Sequence, residues 1–416
     1  MTFGLRRVAL VAVLLSGAGP ALAAPAYLTI GDAAHGLLRQ IAPQAVTHAR
    51  RDVAVTVPER RGSSRLVPAL DGVHVVEVDE DVLPLLSLAV HERLRRCGGF
   101  VQHESLAEAL TVLHRLQGEV TPDALAPSYA IDDAAQVNAL LPQLQASQIL
   151  ATIQSLSDFQ NRMYNSSHGV AASNWLFNTW KALASARPDV RVTQVRHPGW
   201  PQTSVSLLIP GSGANAAETV VLGGHLDSIS PGSPETLRAP GADDDASGVA
   251  SLTEVIRVLL AGNFRPSRSV EFIAYAAEEV GLRGSQQIAA KYKRQRKPVV
   301  GVLQLDMTAF QGDPTDLWIF TDYTNTAQNN FLASLAATYL PALTVGYDRC
   351  GYGCSDHASW TGKGFAASFP FEASFARSNQ AIHTVNDTTA TLGNQASHAL
   401  KFSQLALAYV VELATD

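Results

Sequence analysis

The sequence predicts an α/β protein: a three-layer α/β/α sandwich around a mostly parallel, mixed sheet, preceded by a small α+β unit. Three observations carry that expectation. From about residue 131 onward, short apolar runs of strand length alternate with amphipathic helical stretches, the pattern of a largely parallel sheet covered on both faces. Before that point the rhythm differs, and Thr121-Pro122-Asp123 and Ala126-Pro127-Ser128 break the chain as a linker would. The 416 residues are 46% hydrophobic and 16% charged, a globular rather than a disordered composition.

From the N-terminus, Arg6 and Arg7 form a short positive region and residues 8–15 an apolar run. Gly17, Gly19 and Pro20 follow, then Ala21-Leu22-Ala23, the small-x-small cleavage pattern; residues 1–23 read as a signal peptide cut after Ala23. A membrane anchor needs about 20 apolar residues, and this run is shorter. The arginine pair leaves a twin-arginine export route open beside the general one. A secreted or periplasmic location is therefore expected. Residues 24–130 read as a pro-segment, chaperone-like or inhibitor-like, with strands at 52–57 and 73–78 and a helix at 105–116 spaced through Leu106, Ala109, Leu110, Val112 and Leu113. Composition is equally compatible with an accessory domain that stays attached.

Residues 131–416 form the expected catalytic domain. A helix is predicted at 147–161 and strands at 204–209 and 219–222. Residues 247–261 give a strong amphipathic helix, with Val249, Leu252, Val255, Ile256, Leu259 and Leu260 on one side and Gly262 as its stop. Strands at 270–276, 299–305 and 317–320, a helix at 285–293 and a closing helix at 398–413 complete the pattern. Sheets of this type receive ligands at the carboxyl ends of their strands.

Chemistry-bearing residues gather at those places. His225 and Asp227 follow the apolar run Val220-Val221-Leu222, with Gly223 and Gly224 expected to let the backbone turn. Asp243, Asp244 and Asp245 precede the 247–261 helix, where Asp245 reads as the cap. Glu278 and Glu279 follow a buried-strand pattern, where two carboxylates are costly unless they coordinate something. Asp306 ends a strand, and His383 and Asp387 lie beyond the aromatic-rich segment 369–375. Imidazole and carboxylate together suit zinc, and a ligand set without thiolates is not a structural zinc knot. Two ions about 3.5–4 Å apart can share a carboxylate and a water.

Other classes are disfavoured. The net charge of −6, with no basic stripe, does not favour nucleic acid. No Gly-x-Ser-x-Gly points to a serine hydrolase, and His91-Glu92 lacks the second histidine of a single-zinc protease helix. A metal-free binding relative would have lost ligands that are present here. No apolar stretch after the signal is long enough for a membrane helix. The three cysteines, Cys97, Cys350 and Cys354, leave one over if two pair in an oxidising compartment; Cys350 and Cys354 are close enough to bridge.

Five motifs stand together: Gly223-Gly224-His225-Leu226-Asp227-Ser228, Pro240-Gly241-Ala242-Asp243-Asp244-Asp245-Ala246-Ser247-Gly248, Ala277-Glu278-Glu279-Val280-Gly281, Leu305-Asp306-Met307 and Ile382-His383-Thr384. In order, spacing and local structure they closely resemble the secreted bacterial leucyl aminopeptidases, co-catalytic dizinc exopeptidases, from about residue 132 to the end. The resemblance implies two Zn2+ per chain: His225 and Asp306 on one ion, Glu279 and His383 on the other, and Asp244 bridging. It makes Glu278 the general base and Asp227 the partner of the outer nitrogen of His225. It implies a cis peptide between Asp244 and Asp245, and a Cys350–Cys354 disulfide that aims the Tyr352 hydroxyl at the developing oxyanion. Asp356 and His357 are structural on this reading. Met307, Phe320, Phe369, Phe371, Phe375 and Ile382 would line a pocket for a bulky apolar N-terminal side chain. Ser378 stands where an aromatic is usual, which would admit larger groups. The expected partners are peptides with a free N-terminus and the chain's own pro-segment, with no nucleic acid and no membrane; a monomer is expected. A carboxypeptidase or an aminoacyl cyclase on the same scaffold is the alternative.

Overall fold

Two sheets organise the protein. The structure, a computed structural model, describes residues 25–58, 66–94, 99–115 and 129–415. The signal segment, Cys97 and the breaks at 121–123 and 126–128 lie outside the described residues.

The first unit runs β1 (Pro25–Gly31), α1 (Asp32–Ile41), β2 (Val46–Pro58), β3 (Leu66–Asp79), α2 (Leu83–Leu94), β4 (Phe100–His103) and α3 (Leu106–Arg115). Its strands form an antiparallel sheet in the order β2-β3-β1-β4. Alternation along β3 divides the side chains. Val76 and Val78 pack with Leu28, Ile30, Leu38, Leu86 and Val90 under α1 and α2. Val73 and Val75 pack with Ala109 and Leu113 of α3. The strands expected at 52–57 and 73–78 lie within β2 and β3, and the expected helix is α3.

The second unit carries α4 (Ala134–Leu140), α5 (Ala146–Ser157), α6 (Ser167–Leu183), β5 (Arg191–Val195), β6 (Ser204–Ile209), β7 (Thr219–His225), α7 (Ala246–Ala261), β8 (Ser269–Tyr275), α8 (Arg283–Arg294), β9 (Val299–Gln304), β10 (Leu317–Phe320), α9 (Thr326–Tyr339), β11 (Val345–Asp348), α10 (His357–Gly362), β12 (Ala367–Phe371) and α11 (Ser397–Ala414). The eight strands are ordered β11-β10-β12-β9-β7-β8-β6-β5. The central four, β12, β9, β7 and β8, are parallel. β6 joins β8, and β10 joins β12, antiparallel. The sheet is therefore mixed around a parallel centre.

Both faces are covered, as parallel strands require. Val220 and Leu222 of β7 pack beneath α5, α7, α9 and α11, with Ile153, Val255, Leu335 and Leu407 in the same core. Val221, between them, faces the other way onto Tyr292 of α8 and Trp360 of α10. This is the predicted three-layer sandwich.

One expectation is corrected. Gly223 and Gly224 do not turn the chain, because β7 continues through both to His225. Their role is close approach: a Cβ on Gly224 would stand 2.9 Å from the Leu305 carbonyl, and one on Gly248 of α7 would strike the same oxygen. Glycine at these two points lets the ends of β7 and β9 and the start of α7 converge.

Candidate metal centre

The convergence puts a ring of charged side chains at the carboxyl ends of β7, β8 and β9. His225 is the last residue of β7, Asp244 stands just before α7, Glu278 and Glu279 follow β8, Asp306 follows β9, and His383 comes from the loop between β12 and α11. All six are at most 4% exposed. His225 Nε2 lies 2.9 Å from Asp244 Oδ1, 3.5 Å from Asp306 Oδ1 and 3.9 Å from Glu278 Oε2. His383 Nε2 lies 3.0 Å from Asp244 Oδ2 and 3.1 Å from Glu279 Oε2. Each oxygen of Asp244 thus faces a different imidazole.

The backbone is held by carboxylates that do not themselves face the cluster. Asp245 caps α7, accepting from Gly248 N at 2.8 Å, and also accepts from the amides of His225 and Met307. The Asp244–Asp245 peptide is cis, as expected. Asp387 accepts from the amides of Asp243 and Asp244. Asp243 accepts from Ala309 N and from the Asn379 side chain. Ser355 Oγ donates to Asp306 Oδ2 at 2.6 Å. The guanidinium of Arg162, fully buried, donates to the carbonyls of Leu226, Pro240 and Gly241. It ties the His225 and Asp244 loops together.

Asp227 departs in detail from its expected place. The backbone carbonyl of Asp227, at 3.0 Å, is the nearer partner of His225 Nδ1; its carboxylate oxygen is at 3.7 Å. That carboxylate accepts from the amides of Glu278 and Glu279 instead, at 3.0 and 3.1 Å. It positions the glutamate pair.

Four buried carboxylates against two imidazoles make a strongly negative pocket. Burial pushes Glu278 well above the ordinary carboxyl range, and Glu279, Asp356 and Asp306 add to the rise against His225. Burial likewise lifts Glu279 to about 7, with Asp244 adding to it. For Asp244 burial also acts upward, yet its bonds with His225 and His383 hold it well below the usual value. Burial lowers His383, but Glu279 and Asp244 outweigh it and bring it to about 10. Protons on the rings and divalent cations between them are alternative answers to one negative field. The donor set fits cations. Buried atoms here with no hydrogen-bond partner among the described residues include His225 Nε2, His383 Nε2, Asp306 Oδ1 and both carboxylate oxygens of Glu278 and of Glu279. Two groups at the cluster could hold metal ions: His225 with Asp244 and Asp306, and Glu279 with His383, beside His91, whose two ring nitrogens face His383 Nδ1 and the Glu279 carbonyl.

Residues 205–409 match the family model for peptidase family M28. Leucine aminopeptidase 1 of Grosmannia clavigera is 35% identical over 304 residues, 69% of this chain and 72% of that protein. The chain belongs to peptidase family M28. Among solved structures, the LapA aminopeptidase of Legionella pneumophila has a TM-score of 0.73 at 30% identity, covering 95% of this chain and 99% of that one. LapB from the same organism also has a TM-score of 0.73, at 27% identity, covering 94% and 100%. These likenesses take in the first unit as well as the large sheet. This M28 chain is a hydrolase of the aminopeptidase class with two buried metal-binding groups.

Beside the cluster, the M28 chain gathers the six expected pocket residues. Met307, Phe320, Phe369, Phe371 and Ile382 pack as one apolar group with Cys350, Tyr352 and Cys354, and Phe375 packs against them. Met307 follows Asp306 and Ile382 precedes His383, so the apolar group adjoins the ligand cluster. Cys350 and Cys354 are disulfide-bonded, and the Tyr352 ring meets Phe375 edge-on at 6.0 Å. Ser378 Oγ donates to the Phe375 carbonyl, closing that turn on itself. Asp356 accepts from Gln304, and His357 stacks on Phe369 at 4.6 Å; neither belongs to a metal-binding group among the described residues.

Sequence reasoning missed Arg162, Ser355 and His91. Arg162 and Ser355 carry no signal of their own, since each works through carbonyls or a carboxylate distant in sequence. His91 was visible only as half of an incomplete histidine motif.

Proposed function

We propose that the chain is an exported dizinc aminopeptidase that removes a bulky apolar, leucine-like residue from peptides with a free N-terminus. The observation that carries this reading is Asp244, with one oxygen facing His225 at 2.9 Å and the other facing His383 at 3.0 Å. That arrangement suits a bridging carboxylate, with His225 and Asp306 holding one ion and Glu279 and His383 the other. Two zinc ions there would supply an acidified water and polarise the scissile carbonyl.

The chain's own residues would do the rest. Glu278, raised in proton affinity by burial, takes a proton from the attacking water and delivers it to the leaving amine. Tyr352 donates to the oxygen on which charge develops. The Met307, Phe320, Phe369, Phe371, Phe375 and Ile382 group receives the apolar side chain, and the Ser378 turn widens one wall. Asp227 fixes the glutamate pair through its two amide bonds.

Residues 24–130 are read as a pro-segment. In support, α2 lies over the cluster, where Ser87 and His91 contact the Glu279 carbonyl. Elsewhere Val101 and Val112 pack with Leu282, Tyr323 and Ala358 of the large unit.

Hydrolysis of leucyl-anilide, compared with its N-acetylated form, tests the function. The free amine is expected to be cleaved and the blocked one refused. Equal cleavage of both, or cleavage from the carboxyl end of a peptide, would favour the alternative chemistries of this scaffold.

A further inference from the structure

The two histidines of the cluster obtain their outer-nitrogen partners from different units. His225 Nδ1 meets the Asp227 carbonyl within the large unit, at 3.0 Å. His383 Nδ1 meets His91 Nδ1, from the N-terminal unit, at 3.3 Å. His91 and Ser87 stand one helical turn apart on α2, facing the same way. His91 Nε2 is 2.8 Å from the Glu279 carbonyl and 3.1 Å from Ser87 Oγ, which itself donates to that carbonyl at 3.0 Å.

The contacts fix the direction of the bond between the two rings. The Glu279 carbonyl only accepts, so His91 Nε2 carries a hydrogen. In a neutral ring, His91 Nδ1 then only accepts. Its partner, His383 Nδ1, must therefore donate. Once a cation replaces the proton that the negative pocket otherwise keeps on the ring, the His383 lone pair is on Nε2, the nitrogen facing Asp244 and Glu279 at 3.0 and 3.1 Å. This is the tautomer that a metal ligand needs.

We infer that His91 is a positioning residue for His383: the docked N-terminal unit completes one of the two metal sites by fixing the ring and tautomer of its histidine. The inference rests on the proposed reading of His383 and Glu279 as metal ligands. It gives the N-terminal unit a role that merely covering the site would not. Metal in that site and the docked unit stabilise one another, because a coupling of this kind is reciprocal. The His225 site takes its outer partner from within the large unit and serves as a built-in control.

The test is zinc affinity of the full-length chain, by competition with a chromophoric chelator, for the wild type, His91→Phe and His91→Asn. The phenylalanine keeps the ring volume but can neither accept nor donate. The asparagine offers its Oδ1 where the imidazole Nδ1 stood. The wild type is expected to hold two ions. His91→Phe should loosen one of them by about 10- to 100-fold and leave the other unchanged. His91→Asn should recover most of that loss. Should His91→Phe not fold, His91→Ala must show the same one-site loosening. Two ions held as tightly by the phenylalanine or alanine variant as by the wild type would overturn the inference and spare the dizinc reading. An asparagine variant as weak as the phenylalanine one would overturn it too. A wild-type chain that takes up no zinc would overturn both.

Discussion

Asp244 sits between two imidazoles because residues around it fix its peptide. Asp387 takes its amide and that of Asp243, and Asp245 takes the amide of His225. With the proposed ligands held this way, Glu278 is a buried carboxylate that no hydrogen bond engages among the described residues. Glu278→Ala should therefore reduce turnover by about 10²–10⁴, the usual contribution of a general base, while zinc content stays at the wild-type value. Steady-state rates and metal analysis of one sample check this; normal turnover would remove Glu278 from the mechanism. The five proposed ligands and Glu278 could be singled out in the sequence because each stands where a strand stops or a loop or helix starts. The atom of Asp227 that meets His225 could not be read there. Whether the carboxylate or the carbonyl of Asp227 reaches Nδ1 depends on how the chain leaves β7, which residue identities do not encode.

At the scale of elements, legibility followed burial pattern. β7, β8, β9 and α7 were readable from uninterrupted apolar runs or a clean helical stripe. β12 was not, because Ala367–Phe371 contains Pro370, although both neighbours pair with it. α2 was missed because its leucines run all round the helix: Leu86 is buried while Leu85 and Leu88 are 58% and 38% exposed. β4 contributes a titratable element. His103 is buried, its Nε2 2.9 Å from Thr29 Oγ1 of β1, and burial lowers it from 6.5 to about 4. The folded state thus favours neutral His103. The associated stability is fully present above pH 6.5 and is lost as pH falls toward 4, by about 3 kcal/mol at about 1.4 kcal/mol per unit. His103→Gln should flatten this part of the pH–stability curve, measured by urea unfolding between pH 4 and 7. An unchanged slope would remove His103 as its source.

At the scale of the molecule, the large sheet collects the site and the N-terminal unit lies across it. The contacts joining the units are long-range, with His91 and His383 separated by 292 residues. No local pattern announces such a pairing, so the sequence indicated two units without indicating how they meet. Among the described residues no helix is long and apolar enough to cross a membrane. We propose that this fold assembles a two-zinc hydrolytic centre. Its most direct test is zinc content of the protein cleaved between residues 116 and 128, with leucyl-anilide hydrolysis followed through chelation and zinc return. The expected outcome is two ions per chain, activity lost with them and recovered with zinc. Activity that survives complete removal of metal, or a fully active enzyme holding a single ion, would contradict it.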